Sequence, residues 1–250
     1  MALQKTQGFI LRKQDLRETS IILTVYTRDF GKLRLVSKGV RVPEARFMSA
    51  YELLALDDIV FYERKKRSLF FLSQCDLINY FPRVRESLDR ISYAIYFAEF
   101  LDAATPAGDR NKEIYKLLSD SLFLLSSKAS PKRVARIFEI KLLSVLGLMP
   151  RLKACVACNR AIEKGRVRFS FSSGGVLCEA CFAKDKSAKP VLPGTINFIS
   201  HIENLPFERI KHIKVTRRVG MEVERLLRRF IDYHLDLRLK SMEFIGKVGV

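Results

Sequence analysis

The spacing of apolar residues changes near residue 80 and divides the chain into two patterns. Before that point, short apolar stretches bounded by turn residues predict five strands. They are Gly8–Lys13, Ser20–Thr27, Lys32–Lys38, Tyr51–Tyr62 and Ser68–Ile78. Five strands in so short a segment are typical of a small barrel, and the five-stranded oligonucleotide-binding (OB) fold is the leading candidate.

After residue 80 the apolar residues recur with a period of about 3.6, which is typical of helices. One stripe runs from Val84 to Leu101, and a less regular one follows from Ile114 to Leu125. A third helix follows Ser130 and Pro131, and Thr216 can cap a long C-terminal helix. We therefore predict an α+β multidomain protein. Its parts are an N-terminal five-stranded OB-fold barrel (1–80), a central helical domain (81–150), an inserted zinc ribbon (151–190) and C-terminal helices that pack on the helical domain (191–250).

Four cysteines within the ribbon segment form two Cys-x-x-Cys pairs, Cys155 with Cys158 and Cys178 with Cys181. The alternating residues and the Ser172–Gly175 turn between the pairs predict a hairpin that brings the four sulfurs together. Four thiolates complete a tetrahedron and leave no open position for water, so we expect one structural zinc ion per chain. Two disulfides or four unliganded thiols are the alternatives.

The charge of the chain is strongly positive: 45 Lys and Arg residues stand against 27 Asp and Glu, a formal net charge of +18. Nucleic acid is the usual partner for such a field, and an anionic membrane surface is the second candidate. No apolar run reaches the roughly 18 residues of a membrane span and no signal peptide is indicated, so we expect a cytoplasmic protein. No phosphate-binding glycine loop and no catalytic Cys/His or Ser/His pairing is indicated, so we expect no enzyme activity.

Two groups of basic residues are candidates for contacts with phosphate. The first lies on the third strand of the barrel and in two loops. An aromatic residue such as Phe47 or Tyr26 could stack on a base, and a buried plug is the alternative for Phe47. The second forms one face of the C-terminal helix. A solvated surface without a ligand is the alternative for either group. The candidates are Lys32, Arg34, Lys38, Arg41, Arg46, Arg64, Lys65, Lys66 and Arg67 on the barrel, and Arg217, Arg218, Arg225, Arg228 and Arg229 on the helix.

Several short segments, taken in order along the chain, are similar to those of a known family. These segments are Gly8–Arg12, Glu18-Thr19, Tyr26–Lys32, Ser37–Gly39, Arg46-Phe47, Phe138-Glu139, Leu142-Leu143, Leu146-Gly147 with Pro150, and Arg229–Leu235. On these residues the chain resembles the RecO family of bacterial recombination mediators along nearly its whole length.

The resemblance implies a protein that binds single- and double-stranded DNA, anneals complementary strands and is nucleoid-associated. It also implies that the protein, with RecR, helps to load RecA onto strands coated by single-stranded-DNA-binding protein. We place the contact for the acidic tail of that coating protein on Lys132, Arg133 and Arg136, because such a tail requires cations beside an apolar surface. An RNA-binding or ribosome-associated factor is the alternative, since such barrels and ribbons also bind RNA.

Overall fold

The computed structural model describes residues 2–16, 18–38, 51–63, 68–162, 165–210, 213 and 215–249. The chain forms two compact units, one made of Met1–Pro131 with Leu239–Val250 and the other of Lys132–Arg238. The division into four segments stays a prediction. None of the helices within the described ranges is long and apolar enough to cross a membrane.

The first unit begins with a closed barrel of five strands. They are β1 (Ala2–Leu16), β2 (Ser20–Thr27), β3 (Gly31–Ser37), β4 (Leu56–Glu63) and β5 (Leu69–Asn79). Their order around the barrel is β1-β2-β3-β5-β4, and β1 closes it by pairing antiparallel with both β2 and β4. β3 and β5 run parallel to each other, whereas the other neighbours are antiparallel. This arrangement confirms the predicted OB-type barrel.

Alternate residues along the strands fill the barrel, as the pleat of a β-strand requires. Val25, Leu35 and Phe61 are buried members of this core. Gly8 on β1 allows a close approach between strands, because a Cβ at this position would lie 2.6 Å from the side chain of Val25. Packing and strand register therefore both determine which side chains point into the barrel.

The remaining segments of the chain are mainly helical. In chain order the helices are α1 (Pro82–Arg85), α2 (Leu88–Ala104), α3 (Lys112–Leu125), α4 (Pro131–Val145), α5 (Pro193–Asn204), α6 (Phe207–Ile210), α7 (Arg217–Leu235) and α8 (Lys240–Val248). The first apolar stripe forms α1 and α2 rather than one helix, because Ser87 between them is extended. In the first unit, Glu99 of α2 accepts hydrogen bonds from the backbone N–H groups of Lys240 (3.0 Å) and Ser241 (2.8 Å). A carboxylate at the start of α8 satisfies unpaired donors and favours the helix dipole.

The second unit combines α4 to α7 with a small sheet. The strands are β6 (Val167–Ser170), β7 (Gly175–Cys178) and β8 (Lys189–Pro190), in the order β7-β6-β8. The hairpin expected between the cysteine pairs is thus present as β6 and β7. Phe230 of α7 packs edge-on against Phe169 of β6, with ring centroids 6.1 Å apart. His234 Nε2 lies 2.8 Å from the carbonyl oxygen of Phe171, which ties the end of α7 to the hairpin.

Candidate metal centre and nucleic-acid-binding surfaces

The first cysteine pair lies in a tight turn shaped by its own backbone. Cys155 donates its N–H to the carbonyl of Arg160 (2.8 Å), and Asn159 donates its N–H to the carbonyl of Cys155 (2.9 Å). Asn159 has a φ of 61°, in the left-handed region that asparagine tolerates better than most residues. The turn therefore places Cys155 and Cys158 on the same side of the chain.

The second pair completes a cluster of four sulfur atoms. Cys178 ends β7, and Cys181 lies in the 3-10 helix Glu179–Lys184 that follows. The four Sγ atoms all lie within 4.8 Å of one another, and the Sγ atoms of Cys158 and Cys178 are 3.7 Å apart. A tetrahedral zinc ion with bonds of about 2.3 Å separates its sulfur ligands by about 3.8 Å. The cluster therefore fits a metal ion with four thiolate ligands.

Hydrogen bonding prepares one of these sulfurs to bind a cation. Burial alone would raise the pKa of Cys155, but backbone N–H donors from Cys178, Ala157 and Cys158 outweigh it and lower the pKa to about 6. The N–H of Cys178 reaches Cys155 Sγ at 3.4 Å. Burial and hydrogen bonds to the neighbouring sulfurs raise the pKa of Cys181 to about 12. Thiols at such a site release their protons when a metal ion replaces them.

The basic residues of the barrel that are candidates for phosphate contacts differ in their exposure to solvent. Arg34 and Lys38 are exposed, and Lys38 Nζ lies 5.0 Å from the centroid of the Phe71 ring. Lys32 is different: its side chain is 13% exposed and its Nζ lies 3.0 Å from Asp102 Oδ1 on α2. Lys32 therefore joins the barrel to a helix of its own unit. Arg41, Arg46, Arg64, Lys65, Lys66 and Arg67 lie outside the described residues.

The aromatic candidates for base stacking need a correction. Tyr26 is fully buried, and its hydroxyl donates to the carbonyl of Asn111 at 3.3 Å, so its ring cannot receive a base. Phe47 lies outside the described residues. Sequence reasoning missed Tyr62 of β4, whose ring is 40% exposed on the barrel. Only its outward position on the strand could have indicated it.

The helix candidates form what we call the arginine row, which consists of Arg217, Arg218, Arg225, Arg228 and Arg229 on α7. Four of the five are exposed and Arg228 is half-buried. The apolar side of the same helix is buried, and the hydroxyl of Thr216 accepts the N–H of Val219, so the helix begins where the sequence predicts. The predicted amphipathic helix is therefore present, with four arginine side chains of the row exposed to solvent.

Two members of the arginine row also line a cleft of about 330 Å³ within the second unit. Its walls include Phe169 and Phe171 of the ribbon, and Lys189 adds a third cation. The guanidinium of Arg229 lies over the ring of Phe171 at 4.4 Å, a cation–π contact that orients it. The ribbon and the arginine row thus share one basic, aromatic surface.

The candidate partner site on α4 has only part of its charge at the surface. Lys132 is exposed, and Arg133 is half-buried and donates to the carbonyl of Ile213 at 3.3 Å. Arg136 is 5% exposed and forms a 2.8 Å ion pair with Glu139, which is also buried. Arg136 therefore belongs to the interior of the second unit and does not present a cation to solvent.

These features define a class of protein: a basic chain that joins an OB-type barrel to a helical part with a four-cysteine, metal-binding cluster. The family models agree with it. Residues 1–81 match "Recombination protein O N terminal" and residues 85–243 match "Recombination protein O C terminal". The chain belongs to the RecO family of DNA repair proteins.

Curated relatives carry the same description over their full length. The chain is 36% identical over 249 residues to the "DNA repair protein RecO" of Pelotomaculum thermopropionicum, covering 100% of this chain and 96% of the relative. It is 33% identical to that of Moorella thermoacetica, covering 98% and 91%, and 34% identical to that of Symbiobacterium thermophilum, covering 98% and 97%.

Proposed function

We propose that this protein is a non-enzymatic, cytoplasmic and nucleoid-associated factor that binds single- and double-stranded DNA and anneals complementary strands. The observation that supports it is the presence of exposed cations on both units of a chain of the RecO family. Arg34 and Lys38 lie on a barrel of the OB type, a fold that often binds single strands. The arginine row lies on the second unit. A net charge of +18 favours phosphate backbones over neutral partners.

Two separate contacts explain how such a protein would anneal strands. One strand binds the barrel, and a second strand or a duplex binds the arginine row. Each contact neutralises phosphates and releases counterions, which lowers the repulsion between the two backbones. Base pairing is then downhill, so neither ATP nor a covalent step is required.

The proposed partners follow from the family and from the surface charge. With RecR, the protein would help RecA to replace single-stranded-DNA-binding protein on a coated strand. The acidic tail of that coating protein would bind near the start of α4, where Lys132 and Arg133 supply the cations. Arg136 would act there only through the packing of α4, because its guanidinium is buried against Glu139.

The proposed metal is one structural zinc ion held by Cys155, Cys158, Cys178 and Cys181. A set of four thiolates gives zinc a closed coordination shell, so its role is to cross-link the two cysteine turns. Such a centre carries a formal charge of about minus two, which nearby cations such as Lys184 offset. Elemental analysis of the reduced, freshly purified protein should find about one zinc per chain, and a value near zero would contradict the assignment.

Strand annealing tests the central proposal. Complementary oligonucleotides coated with single-stranded-DNA-binding protein should pair faster when the protein is added, without ATP. The charge reversal Arg218→Glu with Arg225→Glu and Arg229→Glu should slow annealing much more than it weakens binding of one short strand. This difference is expected because the barrel still holds that strand.

A matched control distinguishes the effect of losing the arginine row from the effect of lowering the net charge of the protein. Lys128, Lys186 and Arg209 are exposed residues outside the row, and reversing all three to Glu changes the net charge by the same amount. This control should anneal faster than the row variant. Equal loss in both would mean that only net charge matters, and no acceleration by the unaltered protein would refute the annealing function.

A further inference from the structure

Three large apolar side chains lie next to one another on the outside of the barrel. Tyr62 of β4 pairs directly with Leu3 of β1 on one side and with Phe71 of β5 on the other. Leu3 is 59% exposed, Tyr62 is 40% exposed and Phe71 is half-buried. We call these three residues the outer apolar row.

Strand alternation explains why the outer apolar row faces outwards. Phe61 precedes Tyr62 and belongs to the barrel core, so Tyr62 points away from it. Phe70 and Leu72 both pack against the same core, so Phe71 between them points outwards as well. Side chains that lie opposite each other on adjacent strands have Cβ atoms about 5 Å apart, so Tyr62 and Phe71 are cross-strand neighbours on the outer face of the barrel.

The charges around this surface differ between its two ends. Lys38 Nζ lies 5.0 Å from the Phe71 ring centroid, and the exposed Arg34 pairs with Leu69 two residues before Phe71. The acidic residues Asp58 and Asp76 face each other farther along β4 and β5. Four residues of extended strand separate Asp58 from Tyr62, which corresponds to about 13 Å. The aromatic end of this face therefore carries the cations.

We infer that Tyr62 and Phe71 form a stacking platform for unpaired bases of single-stranded DNA, with Lys38 contacting the adjacent phosphate. The inference rests on the proposed function and adds the residues that contact bases. Every base has an aromatic face, so a platform of this kind binds single strands with little sequence preference. In a duplex the bases stack on each other, so the platform should discriminate between the two forms of DNA.

A protein partner is the competing occupant of the outer apolar row. The charge pattern favours DNA because the cations lie beside the exposed rings, where the phosphates of a stacked strand would run. The acidic residue nearest in sequence is Glu63, which directly follows Tyr62 on β4. Glu63 itself accepts a hydrogen bond from Gln4 Nε2 at 2.9 Å and points to the other side of β4 than Tyr62.

Affinity for a labelled oligothymidylate tests the platform. Tyr62→Ala should weaken binding by roughly 5- to 100-fold, because one base stacked on an aromatic ring contributes on that scale. The slope of log affinity against log salt should not change, since no phosphate contact is lost. Tyr62→Phe should bind like the unaltered protein. Affinity for a blunt duplex should stay within about twofold for both variants.

Replacing two cations should change the salt dependence of binding, which the Tyr62 variants should leave unchanged. Arg34→Ala with Lys38→Ala should reduce the salt slope by about 1.4, which is about 0.7 per lost contact on a single strand. If this variant binds more weakly while Tyr62→Ala and Phe71→Ala bind normally, DNA binding by the barrel stands and the platform is refuted. If none of these changes has an effect, the barrel is not a DNA-binding surface and the barrel part of the proposed function fails.

Fluorescence gives a second measurement that does not depend on removing a side chain. The sequence contains no tryptophan, so Tyr62→Trp introduces a single reporter. Its emission should be quenched by oligothymidylate and not by duplex DNA, because only an unpaired base can stack on the indole. Ile78→Trp is the matched control, since Ile78 is 45% exposed on β5 and lies on the same side of the strand as Asp76, beyond the acidic pair. Equal quenching in both positions, or none in the Tyr62 variant, would overturn the inference.

Discussion

Asp57 is a buried acid inside the barrel, and its replacement is expected to stabilise the protein. It lies on β4, is 0% exposed, and is flanked by Leu56 and Asp58. Neither carboxylate oxygen has a hydrogen-bond partner of good geometry among the described residues. Burial raises the pKa of Asp57 to about 7, and the thiol of Cys75 offsets only part of this effect. The charged form is therefore held in an unfavourable environment.

The magnitude follows from the difference between the folded and unfolded states. The pKa of about 7 stands about three pH units above the ordinary value of 3.8. At 1.36 kcal/mol per pH unit, the ionised carboxylate would cost at most about 4 kcal/mol. Relaxation and water penetration reduce such penalties, so we expect about 2 to 4 kcal/mol at pH 8.

The contribution of Asp57 to the stability of the folded protein decreases as the pH rises. The folded protein binds this proton more tightly than the unfolded chain, so the contribution of Asp57 to stability is greatest below about pH 4. It falls as the pH rises towards 7 and is smallest above that value. Asp57→Asn removes the titration, so the variant should match the unaltered protein at pH 4 and exceed its stability at pH 8.

Cys75 provides a local assay for opening of the barrel. It is buried within the same core, so a thiol reagent reaches it only when the barrel opens. Pulse labelling of Cys75 in increasing urea with dithiodipyridine, which reacts with thiols at acid pH as well as at pH 8, should give equal midpoints at pH 4 and a higher midpoint for Asp57→Asn at pH 8. Asp58→Asn is the matched control because Asp58 faces outwards on the same strand, and it should change stability by less than about 0.5 kcal/mol. An Asp57→Asn variant that is no more stable at pH 8 would refute the argument.

Three further predictions concern the second unit. Cys155→Ser should lower the zinc content to well below one per chain and open the ribbon, while circular dichroism of the barrel is retained. Zinc added to the reduced, metal-free protein at pH 7.5 should release about two or more protons, because the pKa values of both Cys178 and Cys181 are raised above that of an ordinary thiol; calorimetry in two buffers measures this, and no release would contradict it. Glu139→Gln removes the counter-charge of the buried Arg136 guanidinium on α4 and should destabilise the second unit by about 3 to 5 kcal/mol in urea; a loss below about 1 kcal/mol would show that the pair is hydrated.

Local signals were enough to predict the presence of the five barrel strands and of the long helix, although β1 begins at Ala2 rather than Gly8 and β4 begins at Leu56 rather than Tyr51. The strand Ser20–Thr27 has the predicted bounds, because β-branched and aromatic residues fill it and turn residues flank it. Thr216 begins α7 as expected, because a threonine before an amphipathic stretch satisfies the first free N–H groups. In both cases the decisive interactions lie within a few residues of one another in the sequence.

Features that depend on distant contacts were not predictable in the same way. The start of α8 is stabilised by Glu99, which is 142 residues from Ser241 and gives no local capping signal. Lys32 alternates with apolar residues as a solvent-facing cation would, yet Asp102 on α2 pairs with it. The apolar stripe that includes Val84 is continuous across Ser87, so periodicity alone could not indicate the break between α1 and α2.

Some residues of the candidate sites could be identified from their spacing in the sequence, whereas others are revealed only by the register of the strands. The cysteine spacing identifies a metal cluster because both turns are short and the ligand type is specific. Phe71 lies in the run Leu69–Leu72, where four consecutive apolar residues hide which one faces outwards. Asp57 and Asp58 are adjacent acids of opposite environment, and only the register of β4 against its neighbours separates them. A charge count treats both as ionised, whereas a pKa of about 7 leaves Asp57 only partly ionised near neutral pH, so the net charge of the barrel is more positive than the count implies.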